Sequence, residues 1–197
     1  MGRRSDHSRE ELEELILAAG HALMAEVGFA KFSAREVAKR IGYSVGTIYN
    51  VFVNLDHLVL AVNTRTFGLW ADYLRDRLAG EPEDRIRALV GGYFAFAEEN
   101  TNLWMAIYDH RLPPGMAMPD ADAAARAVLT DIVVTEVARA LGGPVDQRAA
   151  DLSRSLLATV HGHADYQLTG AFALMEVEGA MELALARVRE SLAAGQR

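Results

Sequence analysis

Residues 32–52 read FSAREVAKRIGYSVGTIYNVF, and their order of residue types sets the architecture of the N-terminal region. Ser33 opens a helical run and Glu36 follows three residues later, which is the pattern of a capping box at a helix start. Gly42 supplies the left-handed turn that ends this helix, and Ser44 can cap a second helix. Two short helices joined by a few residues around a glycine are typical of a helix-turn-helix.

The apolar residues of this segment share one face, which predicts a core beneath both helices. They are Ala34, Val37, Ala38, Ile41, Ile48 and Phe52. This packing is expected to leave Val45, Gly46, Thr47 and Asn50 facing outward. The second helix, ~11 Å long, is long enough to lay its N-terminal half in a major groove ~12 Å wide. By spacing alone, an ordinary helical hairpin without a role in DNA binding is an equal alternative.

The charge distribution agrees with a local contact to nucleic acid. The 197-residue chain has a net charge of −7, but residues 1–55 carry seven basic and seven acidic side chains. Residues 31–51 contain one acidic side chain, Glu36, and four basic ones, Lys31, Arg35, Lys39 and Arg40. A local basic footprint is what phosphate binding needs, because distant charges are largely screened.

Apolar residues recur at spacings of three and four along the rest of the chain, which predicts an all-α protein of about nine helices. Helix 1 is expected to begin with a capping box at Ser8 and to end at Gly28. Helix 4 is expected to begin at a cap on Asn54 and to end at a break at residues 80–82. The inward residues of helix 4 are expected to run from Leu55 to Tyr73. The three C-terminal helices are expected at about 120–141, 146–168 and 172–192. Cysteine is absent, no apolar run approaches the ~20 residues that span a bilayer, and the N-terminal residues do not resemble a secretion signal, so a cytoplasmic protein is expected.

Residues 8–60 resemble the N-terminal domain of the tetracycline-repressor (TetR) family, and residues 32–52 carry the match. The resemblance implies a DNA-binding domain at 1–54 and a helical ligand-binding and dimerisation domain at 55–197. It also implies a repressor that a small molecule releases from a palindromic operator in double-stranded DNA.

Residue roles follow from the resemblance by position. Ser33 and Tyr49 would contact phosphates, Thr47 would touch base edges, and Gly46 would let the backbone approach the duplex. The full predicted DNA-binding set is Ser33, Arg35, Tyr43, Ser44, Val45, Gly46, Thr47, Tyr49 and Asn50.

The chain departs from the family at two positions, Val45 and Leu55, where lysine is usual. Val45 could instead meet a thymine methyl group. Losing two cationic contacts predicts a salt dependence shallower by up to ~2 units of log–log slope. Arg3, Arg4, Arg35 and Lys39 are candidate compensating charges.

The resemblance also implies a homodimer through the eighth and ninth helices. Their apolar stripes are Leu152, Leu156, Val160 and Leu168, then Val177, Met181, Leu185, Val188 and Leu192. The alternative is that these stripes face only the core of the monomer.

Large aromatic side chains in the middle of the chain predict a pocket for an apolar or aromatic effector, between helices 5, 7 and 8 and beneath helix 4. The predicted ligand-binding set is Trp70, Tyr73, Tyr93, Phe94, Trp104, Tyr108, His161 and Tyr166. Plain core packing is the alternative for each of them. Gly91 and Gly92 cost helix 5 about 1 kcal/mol each, so they indicate either close helix packing or room for a ligand.

Other classes of function have little support in the sequence. His161 and His163 are two residues apart and point to different sides of a helix, so a metal site is not expected, and Gly162 is expected to allow close packing. The chain has no nucleophile elbow, phosphate-binding glycine loop or Glu-x-x-His pair, so neither an enzyme with catalytic residues nor a cofactor is expected. A protein-binding adaptor without DNA affinity remains an alternative.

Overall fold

The computed structural model describes residues 7–80 and 83–196. The described residues contain helices and no strand, which confirms the all-α prediction. The helices are α1 Arg9–Val27, α2 Ala34–Ile41, α3 Val45–Phe52, α4 Leu55–Ala79, α5 Arg85–Glu99, α6 Thr101–Asp109, α7 Asp120–Leu141, α8 Gln147–Leu168, α9 Ala171–Leu174 and α10 Ala180–Gly195, and a 3-10 turn spans Phe29–Lys31. Arg3 and Arg4 lie outside the described residues.

The N-terminal helices begin where their capping residues predict. Ser8 and Glu11 form a complete capping box, since each side chain bonds the backbone amide of the other residue. At α2 only half of the predicted box forms. The Ser33 hydroxyl accepts from the Glu36 amide at 3.3 Å, but the Glu36 carboxylate lies 3.7 Å from Nζ of Lys39 instead of returning to Ser33.

Two predictions on helices were wrong in detail. The last predicted helix is divided into α9 and α10, because the chain turns through positive φ at Glu176 (55°) and Gly179 (71°). On α4, Leu55 and Leu69 are exposed, and Trp70 and Leu74 face inward in their place. The helix thus buries residues at a regular spacing of four, at positions 58, 62, 66, 70 and 74. The predicted inward face followed this spacing only as far as residue 66.

The chain folds into two compact units. Unit 1 comprises the described residues up to Phe67 and Asn102–Ala125, and unit 2 comprises Gly68–Thr101 and the described residues from Arg126 onward. These packing units differ from the division at residue 54, because the first half of α4 and α6 from Asn102 onward pack with α1–α3. The functional division at residue 54 stays a prediction.

Three polar contacts hold α6 and its C-terminal end inside unit 1. The Asn102 side chain donates to the Ala25 carbonyl at 2.8 Å, and the buried Asn63 of α4 donates to the Ala106 carbonyl at 3.0 Å. Nε2 of His110 lies 3.1 Å from Oδ1 of Asp56. Backbone carbonyls at the ends of helices are satisfied in this way across long sequence distances.

Among the described residues, no single helix has the length and apolar composition to cross a membrane, although α3 and α4 together, bent by 69° at their junction, pass that test.

Candidate nucleic-acid interface and internal cavity

The turn between α2 and α3 has the backbone geometry that a helix-turn-helix needs. Gly42 is left-handed (φ 73°, ψ 28°), and the Tyr43 amide donates to the Ala38 carbonyl at 3.0 Å. The Ser44 hydroxyl then accepts from the Thr47 amide at 3.1 Å. These bonds close one helix and open the next within three residues, which fixes the direction of α3.

The outer face of α3 is mostly polar. Gly46, Tyr49 and Asn50 are exposed, while Thr47 and Tyr43 are half-buried. Oγ1 of Thr47 lies 3.0 Å from Oγ of Ser44, so both hydroxyls sit at the N-terminal end of α3. The N-terminal end is the part of a recognition helix that meets base edges.

The prediction that Val45 faces outward was wrong. Val45 is half-buried and packs against the apolar core of unit 1. It precedes Ile48 by three residues and Phe52 by seven, so all three lie on the inner face of α3. Leu55, the second position where the family usually has lysine, is exposed at the start of α4.

The basic residues of this region have different partners. Arg40 donates twice to the Glu26 carboxylate, at 2.8 and 2.6 Å, and thereby clamps α2 to α1. The hydrogen bonds from Arg40 hold the pKa of Glu26 below its usual value. Arg35 and Lys31 are exposed and have no acidic partner among the described residues. The cationic surface therefore rests on Arg35, Lys31 and the loosely paired Lys39, because the charge of Arg40 is balanced by Glu26.

Ser33 keeps a hydrogen that it can donate. Its oxygen accepts from the Glu36 amide, so the O–H itself is available to a phosphate oxygen. Ser33 is half-buried at the first turn of α2, where the helix dipole also favours an anion.

A strained turn joins α3 to α4. Val53 has φ 60° and ψ −56°, and the amide of Asn54 donates to the Phe52 carbonyl at 2.5 Å. This is a γ-turn of the rare hand, which is unusual for a β-branched residue. Nothing in the residue types of this turn predicts it, since glycine is the residue that normally marks positive φ.

Unit 2 contains a cavity of about 40 Å³ between α4, α5, α7, α8 and α10. Its position agrees with the predicted pocket. Its lining is formed by Leu74, Ile86, Leu89, Val90, Tyr93, Val133, Val137, Leu156, Leu157, Val160 and Val188. Tyr93 is the sole member of the predicted ligand-binding set in that lining.

The other predicted aromatic residues of unit 2 pack mainly against one another. Trp70 stacks on Phe96 (centroids 4.9 Å apart) and meets the edge of Tyr93 at 4.7 Å, and Tyr73 packs against Phe96. His161 reaches this cluster, since its Nδ1 lies 3.0 Å from the Tyr93 hydroxyl. The structure thus brings Trp70, Tyr73, Tyr93 and His161 together, with only Tyr93 at the cavity.

The remaining predicted ligand residues lie elsewhere. Phe94 is buried outside the cavity lining, and Tyr166 is exposed and packs against Phe172. Trp104 and Tyr108 lie on α6 in unit 1, where their rings are 5.1 Å apart. Their roles in ligand binding stay predictions.

The glycines of α5 and α8 have different surroundings. A β-carbon at Gly92 would lie 2.7 Å from Cδ2 of Leu74, so Gly92 allows α5 to approach α4 closely. A β-carbon at Gly91 or Gly162 would meet nothing within 4 Å, so close packing inside the chain does not explain these two. Nδ1 of His163 lies 2.8 Å from the Thr159 carbonyl in its own helix. The described residues contain no group of acidic or histidine side chains that could hold a metal.

The apolar stripes predicted for the dimer surface are largely used inside the chain. Leu156, Val160, Leu185, Val188 and Leu192 are all buried in unit 2. The other members of the predicted stripes, Leu152, Leu168, Val177 and Met181, are half-buried and stay available to a second copy. The exposed candidates are Ala158, Tyr166 and Leu183, with the half-buried Gly162 between them.

Comparisons with known proteins agree with this architecture. HTH-type transcriptional regulator Rv1816 of Mycobacterium tuberculosis is 26% identical over 127 residues, which cover 62% of this chain and 54% of that protein. The chain therefore spans about half the length of the curated relatives it matches. A protein of unknown function from Rhodococcus sp. RHA1 has the same fold, with a TM-score of 0.71, 23% identity and 98% of each chain covered. RolR, solved with the ligand resorcinol, has a TM-score of 0.68, 16% identity and coverage of 96% and 95%.

Two family models match the chain itself. One, described as bacterial regulatory proteins of the tetR family, matches residues 16–62, which contain the helix-turn-helix. The other, described as a tetracyclin repressor-like C-terminal domain, matches residues 86–188 and alone spans more than half of the chain. The chain therefore belongs to the TetR family, whose members are regulatory proteins and not enzymes.

Proposed function

We propose that this chain is a ligand-responsive repressor that binds a palindromic operator as a homodimer and leaves it when an effector occupies unit 2. The observation that supports this most directly is the α2–α3 pair, closed at Gly42 and capped at Ser44, with Thr47, Tyr49 and Asn50 on its outer side. Ser33 and Arg35 flank that surface and suit phosphate contacts. A protein that acts on bacterial DNA works in the cytoplasm, and we propose that location.

A mobility-shift assay with the DNA upstream of its own gene tests this function. We expect specific binding that excess unrelated DNA does not remove. A Thr47→Ala, Tyr49→Ala double variant should lose at least about tenfold in specific affinity, because each lost base or phosphate contact is worth about 1–3 kcal/mol. A Thr135→Ala variant, changed on the exposed side of α7, is the folded control. Equal affinity for specific and unrelated DNA in the unchanged protein would contradict the proposal and favour an adaptor.

We also propose that the cavity of unit 2 is the effector site. RolR, which shares the fold, was solved with resorcinol bound, so a small neutral molecule can be accommodated by such a fold. Release requires that the effector bind the DNA-binding state and the released state of the protein with different affinity. To move the ratio of these two states from 99:1 to 1:99, the two affinities must differ by about 10⁴-fold. A cavity of about 40 Å³ is far below the ~300 Å³ of ordinary ligand pockets, so the effector-bound state must be the wider one.

The homodimer is proposed to form through the exposed sides of α8 and α10. Ala158→Arg places a charge on the exposed side of α8, one helical turn from Gly162, and should give a particle of one chain, 21.5 kDa, in light scattering. Thr135→Arg, on the exposed side of α7, adds the same charge elsewhere and should leave a particle of twice that mass. A dimer that survives Ala158→Arg would place the interface on another surface.

A further inference from the structure

We propose that unit 1 has a ligand site of its own, a groove that binds a small organic cation with an apolar body. The groove, of about 400 Å³, lies between α1, the turn that joins α3 to α4, α4 itself and the start of α7. It shares no lining residue with the cavity of unit 2. The proposal therefore goes beyond the effector function proposed above and adds a different class of ligand.

The groove has the size and the apolar surface of a small-molecule site. Its volume lies within the ~300–1,000 Å³ of ordinary ligand pockets. The half-buried Leu17 and Ala61 line it together with the exposed Val53 and Pro119. These side chains leave apolar area in contact with water, and a ligand with an apolar body would cover that area.

Two carboxylates in the lining give the groove its charge. Glu13 is exposed and Asp122 is half-buried, and neither makes a hydrogen bond or an ion pair among the described residues. Among the described residues that line the groove, Arg65 alone is a lysine or arginine, and its Nη1 lies 2.6 Å from Oε1 of Glu14. The groove thus presents two negative charges that no lysine or arginine balances, which favours a cation over an anion.

The uncharged polar groups of the groove, on His57 and Thr64, suit a ligand that donates hydrogen bonds. Oδ1 of Asn54 accepts from the His57 amide at 3.0 Å and lies 2.8 Å from Nδ1 of the His57 ring. Because a carbonyl oxygen only accepts, this contact assigns a hydrogen to Nδ1 and leaves Nε2 of the neutral ring as an acceptor. The Thr64 hydroxyl donates to the Leu60 carbonyl at 2.9 Å, so its oxygen presents lone pairs. An ammonium group, with three donors and no acceptor, complements these groups.

The site includes the junction between α3 and α4. Val51 and Phe52, in the last turn of α3, line the groove, and Val53 forms the strained turn that follows them. The two helices meet there with a bend of 69°. A cation bound in the groove would therefore contact the residues that set the direction of α3 relative to α4.

Three probes that share a phenylethyl body test the charge preference: 2-phenylethylamine, 2-phenylethanol and 3-phenylpropionate. Binding of each to the full chain is measured at pH 7.5 by calorimetry and by the shift of the unfolding midpoint, without DNA. We expect the amine to bind and to raise the midpoint, and the carboxylate to bind at least about tenfold more weakly, because the two carboxylates attract one and repel the other. Absence of amine binding would overturn the proposal, as would equal or tighter binding of the carboxylate.

A matched pair of charge variants locates the amine on α7. Asp122→Asn keeps the shape of the side chain and should weaken the amine by about threefold to fivefold, the effect of one partly exposed ion pair. Asp131→Asn removes the same charge from an exposed position of α7 outside the groove and should leave the affinity unchanged. Equal losses in the two variants would mean that the overall acidity of the chain attracts the amine, which contradicts a site in the groove.

A second pair tests whether the amine occupies the groove itself. Ala121 is exposed and lines the groove, so Ala121→Trp fills space there, keeps both carboxylates and should abolish amine binding. Ala127→Trp adds the same side chain at an exposed position of α7 outside the lining and should bind the amine normally. Unchanged affinity in Ala121→Trp would place the amine elsewhere and refute the site. Since no measurement involves DNA or the cavity of unit 2, a failure here would leave the proposed function as it stands.

Discussion

Gly92 of α5 lies against Leu74 of α4 so closely that a β-carbon at residue 92 would come within 2.7 Å of Leu74 Cδ2. The next atom on that side is Cδ of Arg77, at 3.1 Å. Leu74 also lines the cavity of unit 2, so the glycine sets the position of one of its walls. A β-carbon at the neighbouring Gly91 would have open space around it. The same substitution at the two glycines can therefore be compared directly.

We expect Gly91→Ala to stabilise the protein by about 1 kcal/mol, since alanine is the better helix former. Gly92→Ala has the same helix gain but must displace the tip of Leu74, and overpacking of this kind costs about 1–3 kcal/mol. The free energy of unfolding in urea should therefore be lower for Gly92→Ala than for Gly91→Ala by about 1–3 kcal/mol. Identical urea midpoints would mean that the helices do not touch at residue 92.

Arg35 and Arg40 should differ in their effect on DNA binding. Arg35 is exposed and without an acidic partner among the described residues, whereas Arg40 is engaged by Glu26. Arg35→Ala should reduce the slope of log affinity against log salt by about 1, because one phosphate contact is lost. The charge-balanced pair Arg40→Ala, Glu26→Ala should leave that slope unchanged. A loss of slope in the pair but not in Arg35→Ala would reverse the assignment.

The two positions that lack lysine should respond differently when lysine is introduced. Leu55 is exposed, so Leu55→Lys should steepen the salt slope by up to about 1 through an added phosphate contact. Val45 packs on the core of unit 1, so Val45→Lys should lower the unfolding midpoint. Salt titrations and thermal unfolding of both variants separate the two effects. An unchanged midpoint in Val45→Lys would show that the side chain can turn outward.

The turn at Val53 should tolerate glycine better than valine. A non-glycine residue held in a sparsely populated conformation costs about 1–3 kcal/mol, and Val53 is 70% exposed, so little burial is lost on substitution. Val53→Gly is expected to raise the free energy of unfolding by about 1 kcal/mol after its greater chain entropy is subtracted. Val53→Ala keeps a β-carbon at positive φ and should gain less. If Val53→Gly is the less stable of the two, the turn is not strained.

Acid should weaken the fold through two histidines. Burial lowers the pKa of His21, with a further contribution from the charge of Arg65, and burial also lowers the pKa of His161. Below the usual value of 6.5 the unfolded chain binds more protons at these sites than the folded chain, so stability falls as the pH decreases. The unfolding midpoint should drop from pH 7.5 to 5.5.

The double variant His21→Gln, His161→Gln tests this origin. The drop in its unfolding midpoint between pH 7.5 and 5.5 should be smaller. The exposed His7, changed to glutamine, serves as the control and should leave the drop as it is in the unchanged protein. A drop of the same size in the double variant would place the acid sensitivity on other groups.

The helix-turn-helix could be predicted from residues 32–52 because every feature that builds it is local. Ser33 and Ser44 bond to amides three residues away, and Gly42 adopts the left-handed turn within its own peptide. Ile48 and Phe52 are buried because they share one face of one helix. Capping, turn preference and helical period act over a few residues, so the sequence by itself determined this part of the protein.

Tertiary packing decided the rest, because it depends on residues that are distant in the chain. Arg40 donates to Glu26, which is fourteen residues away in the chain, and Asn102 donates to the Ala25 carbonyl, which is 77 residues away. The aromatic composition predicted a pocket without showing which residues line it. The packing of five helices places Tyr93 at the cavity and stacks Trp70 on Phe96. Periodicity shows that a face is buried and does not show what covers it, so the partner of each buried side chain emerged only when the helices were brought together.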